Sequence, residues 1–88
     1  MSFISIGFGN YVSVDKIMTI VSPESAPIKR VITDAKEKGL LIDASFGRST
    51  KAVLIMTSGH IILSALTSEV LSERIDPESI KKEEFSND

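Results

Sequence analysis

Residues 22–39, SPESAPIKRVITDAKEKG, predict the main helix of the chain. Proline disrupts a helix interior but is tolerated in the first turn, where its missing N–H is not needed. Ser25 as the N-cap places Pro27 at the second helical position, whereas Ser22 would start the helix about one turn earlier. Gly39 is expected to end it as a C-cap. Apolar residues at i, i+3, i+4 and i+7 then share one face: Ile28, Val31, Ile32 and Ala35.

The chain before this helix is rich in β-forming residues. In residues 3–8 the apolar side chains alternate, which predicts a half-buried strand with Ile4, Ile6 and Phe8 on one face. Gly9-Asn10 is typical of a turn because both residues tolerate positive φ. Asp15-Lys16 interrupts the following β-rich stretch as a bulge or a short turn. Three strands are therefore expected: 3–8, 11–14 and 17–21.

Three more strands are expected after the helix, at 40–45, 51–56 and 60–66, joined as an antiparallel meander. The middle one is apolar on both faces, which is typical of a central strand or of one at a subunit interface. A loop around Gly47 and a turn at Ser58-Gly59 connect them. Thr67 or Ser68 can cap a short second helix that ends near Asp76-Pro77.

This order of elements predicts an α+β fold, a small and mostly antiparallel β-sheet with one main α-helix and a short C-terminal helix. The chain has 88 residues, which is the size of one domain. We expect that domain to span 1–77, with 78–88 forming an acidic, flexible tail. So small a domain has sheet edges to cover, and further copies of the chain can cover them.

The composition argues against several functional classes. The chain has no cysteine and one histidine, His60, so a zinc finger, a cysteine nucleophile and a clustered metal site are not expected. No pair of carboxylates has catalytic spacing, so we expect no enzyme, cofactor or small-molecule substrate. The longest apolar run, 52–56, is too short to cross a membrane, and the N-terminus does not look like a signal peptide. A cytoplasmic protein is the expectation.

Charge is distributed unevenly along the chain. The formal net charge is −2, but residues 1–68 carry seven basic and five acidic side chains, and residues 69–88 carry three and seven. The body is therefore mildly basic and the C-terminal end acidic. A weak positive field becomes substantial when it is repeated around a symmetric oligomer.

Two groups of basic residues are candidates for binding phosphate. Lys29 and Arg30 lie near the start of the main helix, where free N–H groups and the helix dipole also favour anions. The alternative is a ladder of opposite charges at i, i+4 and i+8, formed by Arg30, Asp34 and Lys38.

The second group, Arg48 and Lys51, flanks the loop at Gly47, from which an arginine fork and nearby hydroxyls can reach a nucleic-acid backbone. A solvated hairpin is the alternative there. Lys16 is uninformative by itself. Gly7-Phe8-Gly9 is interpreted as a hairpin turn rather than a nucleotide loop, because it leads into another strand.

Four segments taken together resemble the RemA family, bacterial regulators of extracellular-matrix (biofilm) genes. They are Ile6–Asn10 (IGFGN), Ile20–Arg30 (IVSPESAPIKR), Leu41–Ala44 (LIDA) and Phe46–Arg48 (FGR). The resemblance runs in one register from about residue 3 to residue 68, and the central block is long and specific.

The resemblance implies a nucleoid-associated transcriptional regulator that binds duplex DNA through the basic rim of a ring-shaped homo-oligomer. Ser49 stands where family members commonly have a second arginine, which removes one cation per subunit. A structural or protein-interaction oligomer that binds no DNA is the alternative, and RNA binding is a third. The DNA-binding positions that carry over are Lys16, Lys29, Arg30, Arg48 and Lys51, with Pro27 and Gly47 as structural support.

Overall fold

The computed structural model describes residues 2–77, and the tail expected at 78–88 lies outside the described residues. The α+β class is confirmed. Residues 2–77 contain two α-helices and six strands, and the strands form two sheets. A short 3-10 turn at Val14–Lys16 separates the second and third strands. The elements are β1 (Phe3–Gly7), β2 (Asn10–Ser13), β3 (Ile17–Val21), α1 (Ala26–Lys38), β4 (Leu41–Asp43), β5 (Ala52–Met56), β6 (Ile61–Ser64) and α2 (Ser68–Ile75).

The main sheet has the strand order β3-β5-β6-β4, so the predicted meander is wrong. β5 pairs antiparallel with β3 and β6, while β4 pairs parallel with the far side of β6. All residues of β6 are buried and need neighbours on both sides, whereas β4 contains the exposed Ile42 and Asp43 and suits an edge. The eight-residue connection 44–51 is long enough to carry the chain past the end of β6. β5 is central, as its sequence predicted.

The hairpin of β1 and β2 forms a separate two-stranded sheet. Ile4 and Ile6 are buried as the alternation predicted, but Phe8 does not share their face. Phe8 lies instead in the turn, with φ 55°, beside Gly9 at φ 78°. Positive φ at both central residues is the geometry of a type I′ hairpin turn. The prediction that Phe8 shares the face of Ile4 and Ile6 is therefore wrong, because the tight turn ends the alternation at Gly7.

Two layers cover the faces of the main sheet. α1 packs its apolar stripe against one face, where Ala35 meets Val53, Ile61 and Leu63. The β1–β2 hairpin and α2 cover the other face, with Leu71 of α2 fully buried in that second cluster. Each face of a central strand therefore has its own apolar core.

The helix ends agree with the capping predictions. The Ser25 hydroxyl accepts a hydrogen bond from the Ile28 N–H, and Pro27 occupies the second helical position. Gly39 ends α1 in the left-handed region, at φ 74°, where a side chain would be strained. The Thr67 hydroxyl accepts from the Val70 N–H and caps α2. The start at Ser22 is ruled out by this geometry.

Candidate nucleic-acid interface

The main sheet has two unlike ends. β3, β4 and β6 all finish at one end, where β5 begins, and we call this the loop end. Each helix follows one of these strands, so α1 and α2 both begin at the loop end. The opposite end carries the tight connection between β5 and β6 and is called the turn end. Both helix N-termini therefore place their partial positive charges at the loop end.

The loop of residues 44–51 is shaped by hydrogen bonds to Ser45. The carboxylate of Asp43 accepts from the hydroxyl and the backbone N–H of Ser45, and these two bonds hold the pKa of Asp43 below its usual range. The Ser45 carbonyl accepts from the Arg48 N–H at 3.0 Å. Phe46 and Gly47 between them adopt φ 56° and 77°. A tight turn thus presents Arg48 at the edge of the loop end.

Arg48 lies over an aromatic ring that the sequence reasoning did not include in the site. Its guanidinium carbon is 5.6 Å from the ring centroid of Phe8, which is within the range of a cation–π interaction. The rings of Phe8 and Phe46 are stacked, with centroids 5.1 Å apart and planes at 24°. The available signal was the Phe-Gly dipeptide, which occurs in both turns.

Lys51 and Arg48 line the same groove. Lys51 lies just before β5, where its N–H bonds to the carbonyl of Ser64 at 2.8 Å. Ser49 and Phe8 line this groove as well. Ser49 and Lys51 also line an adjoining cleft, formed by residues 22–24 before α1 and 67–69 at the start of α2. Two carboxylates, Glu24 and Glu69, lie in this cleft as well.

Lys29 and Arg30 are exposed in the first turns of α1, so they belong to the same end of the sheet. Arg30 lines a groove on the outer side of the helix with Pro27. Half of the predicted charge ladder forms: Asp34 and Lys38 make an ion pair at 3.0 Å, whereas Arg30 makes none with Asp34. Pro27 fixes the start of the helix, and with it the direction in which the two cations point.

Lys16 lies at the turn end. It is the last residue of the 3-10 turn, and its carbonyl accepts a hydrogen bond from the Thr57 N–H at 2.8 Å. Residues 51–57 contain the whole of β5, which corresponds to about 20 Å of extended chain. Four of the five predicted cations therefore share one end of the sheet, and Lys16 is separated from Lys51 by the length of that strand.

Other chemistry finds little support in the described part of the chain. His60 lies at the turn end, where its Nδ1 is 2.7 Å from the Ser58 hydroxyl oxygen. Within residues 2–77, no three histidine or carboxylate side chains are grouped so that they could hold a metal ion. The same residues contain no helix with the length and apolar character to span a bilayer.

The fold and the site define a small α+β domain that presents cations on one end of a sheet. The chain belongs to the RemA-like family, because the family model for Extracellular matrix regulatory protein A-like proteins matches residues 3–75. The resemblance seen in the sequence is thereby confirmed. The family is named for an extracellular matrix regulatory protein, and the relatives described below are bacterial proteins with regulatory names.

Individual relatives match over nearly the whole chain. Extracellular matrix regulatory protein A of Bacillus subtilis is 53% identical over 83 residues, which cover 94% of this chain and 90% of the relative. A Carboxydothermus hydrogenoformans protein named as a regulatory protein is 54% identical over 85 residues, covering 97% and 98%. A Cyanothece protein with a similar name is 58% identical over 74 residues, covering 84% and 81%.

Proposed function

We propose that this protein is a transcriptional regulator of extracellular-matrix (biofilm) genes that binds duplex DNA as a ring-shaped homo-oligomer on the nucleoid. Its family and the name of its Bacillus subtilis relative support the regulatory part. One observation carries the DNA-binding part. Arg48 and Lys51 line one groove at the sheet end where both helices begin.

Phosphate is the group that this end of the sheet suits best. An arginine fork can donate two hydrogen bonds to one phosphate, and lysine adds a point charge. The helix N-termini contribute partial positive charge, and Ser49 and Thr50 provide hydroxyl donors in the adjoining cleft. Glu24 and Glu69 in that cleft oppose binding, so one subunit holds DNA weakly. A useful affinity then requires several subunits acting on one duplex.

The open sheet edges support assembly into a ring. Within residues 2–77, the outer edges of β3 and β4 pair with no other strand. Each edge also exposes an apolar side chain: Met18 is 62% exposed on β3 and Ile42 is 47% exposed on β4. Pairing of unlike edges is head-to-tail, and head-to-tail contacts close into rings when the rotation between subunits allows it. Such a ring repeats the loop end of every subunit along its circumference.

The proposal is tested by titrating fluorescent duplex DNA with wild-type protein and with Arg48→Ala. Lys36→Ala is the matched control, because Lys36 is an exposed cation near the C-terminal end of α1 and outside the proposed site. We expect Arg48→Ala to weaken binding and to flatten the salt dependence, by about one unit of log–log slope for each phosphate that the variant no longer engages. Lys36→Ala should leave both close to wild type.

Equal affinities for the wild type and Arg48→Ala at two salt concentrations would overturn the proposal. A competition with unlabelled RNA of the same length separates DNA binding from general polyanion binding. We expect duplex DNA to compete better than RNA, because the exposed rings of Phe8 and Phe46 stack on each other instead of standing apart for bases.

A protein-interaction oligomer that binds no DNA is the second candidate. It is favoured by Phe3 and Tyr11, which are both exposed on the outer face of the β1–β2 hairpin. Exposed aromatic side chains are enriched at protein interfaces. In that case light scattering would show an oligomer, while duplex DNA would remain unbound even at low salt. A Tyr11→Ser variant would then lose the partner and leave the oligomer intact.

A further inference from the structure

Two turns at the loop end have a phenylalanine at a position that usually requires glycine, asparagine or aspartate. Gly7–Asn10 and Ser45–Arg48 are both tight turns whose two central residues have positive φ. The first central position suits asparagine, aspartate or glycine, which enter the left-handed region with little strain. Phenylalanine occupies it in both turns, as Phe8 at φ 55° and Phe46 at φ 56°. Backbone strain of this kind concentrates at functional sites.

Burial in the core does not explain these two side chains. Phe8 is 48% exposed and Phe46 is 76% exposed, yet their rings stack on each other across the two turns. The guanidinium of Arg48 lies above the ring of Phe8. The rings therefore serve a contact at the surface: Phe46 stacks on Phe8, and Phe8 lies under the cation of the groove.

We propose that Phe8 and Phe46 form an aromatic pair that positions the Arg48 guanidinium for phosphate, an inference that rests on the proposed DNA-binding function. A free arginine side chain must be ordered before it can bind, which costs conformational entropy. A guanidinium held over a ring has already lost part of this freedom, and the attraction to the ring uses its charge rather than its hydrogen-bond donors. The aromatic pair thus orders the Arg48 guanidinium in advance and does not use its N–H donors.

Contacts between the end of β1 and the chain at and after β6 hold Phe8 in place. The buried Ser64 hydroxyl donates to the Ile6 carbonyl at 2.9 Å, which ties the end of β1 to β6. At Gly7, an added Cβ would lie 3.5 Å from the Leu66 side chain, so the strand passes close to the sheet there. The β1–β2 hairpin, which supplies no cation to the groove, thereby becomes part of the binding site.

The test variant is Phe8→Asn. Asparagine followed by glycine is the preferred pair for this turn, so the variant removes the ring while leaving an unstrained hairpin. We expect its affinity for duplex DNA to fall about two- to fivefold for each engaged subunit, which is the worth of an exposed cation–π contact. Oligomer mass should stay unchanged, and Phe8→Tyr, which keeps the ring, should restore wild-type affinity. Phe46→Asn should show a smaller loss in the same direction.

A double-mutant cycle and a spectroscopic measurement separate positioning from other roles. In the Arg48→Ala background, Phe8→Asn should have no further effect on DNA affinity; an undiminished effect would mean that the ring contacts DNA itself and would overturn the inference. The NMR signal of the Arg48 Nε–H in the free protein should carry a ring-current shift that Phe8→Asn abolishes. A shift that survives the substitution also overturns it.

These measurements keep the two proposals apart. If Arg48→Ala weakens DNA binding and Phe8→Asn does not, the positioning inference fails and the DNA-binding function stands. If Arg48→Ala leaves DNA binding intact, the proposed function fails and the claim that the aromatic pair acts on phosphate fails with it. The ring-current shift would then still report whether the pair orders the Arg48 side chain.

Discussion

Ser64→Ala is the substitution whose cost can be worked most directly from the structure. The Ser64 side chain is fully buried, and its hydroxyl donates to the Ile6 carbonyl and accepts from the Leu66 N–H at 3.0 Å. Alanine fits the space but leaves both backbone groups without this partner. Ile6 is almost fully buried, so its unpaired carbonyl accounts for the larger part of the lost stability. Orphaned buried groups cost about 1–3 kcal/mol each, and Leu66 is only half-buried, so we expect a loss of about 2–3 kcal/mol for the two groups together.

The assay is thermal unfolding followed by circular dichroism at fixed protein concentration. For a domain of this size, the expected loss corresponds to a fall in Tm of roughly 10–20 °C. Ser22→Ala is the matched control, since Ser22 is exposed and makes no hydrogen bond through its side chain within residues 2–77, and its Tm should change little. A Tm for Ser64→Ala within about 2 °C of the wild type would refute the reasoning, because a buried hydroxyl with two partners should not be dispensable.

Three further predictions test the assembly, the loop and the helix end. Ile42→Lys places a charge on the exposed edge strand β4 and should lower the oligomer mass measured by light scattering, and an unchanged mass would contradict edge pairing. Because the pKa of Asp43 is lowered in the folded state, its contribution to stability is present above the ordinary carboxyl pKa and is lost as pH falls. Asp43→Asn should therefore melt below the wild type at neutral pH, with the two curves converging below about pH 4. Gly39→Ala puts a Cβ at φ 74° and should cost about 1 kcal/mol in urea unfolding, whereas no loss would mean that the C-cap relaxes.

The local elements could be predicted from the sequence because their signals are local. Few positions in a helix tolerate proline, so Pro27 favours the start at Ser25 over the alternative at Ser22, and Gly39 marks the end. The central place of β5 followed from apolar residues on both faces. The order of the strands in the sheet could not be predicted in the same way. A meander and a crossover contain the same strands, so the pattern that locates the strands does not show which of them are neighbours. The observed order depends on which strand buries both faces, and β6 does so more completely than β4.

Of the candidate site, only the charged residues could be predicted from the sequence. Arg48 and Lys51 are close in sequence, so their shared groove was foreseeable, and the helix start carries Lys29 and Arg30 wherever it lies. The sequence predicts Phe8 on the same face as Ile4 and Ile6, because the alternation of these residues is also what a longer strand would show. Its contact with Arg48 spans forty residues of sequence and depends on how the hairpin lies on the sheet. No local pattern contains that information.

The position of Lys16 ties the proposed DNA binding to the proposed assembly. A single subunit presents Lys16 and Lys51 at opposite ends of β5, so a phosphate bound at the loop end lies about one strand length from Lys16 of the same subunit. A neighbouring copy paired through the sheet edges can bring its own cations next to the same stretch of DNA. If Lys16 contributes to DNA binding, its effect must therefore depend on assembly. Lys16→Ala should weaken the oligomer's affinity for DNA and leave the residual affinity of the Ile42→Lys variant almost unchanged, whereas the removal of a purely local phosphate ligand would weaken both equally.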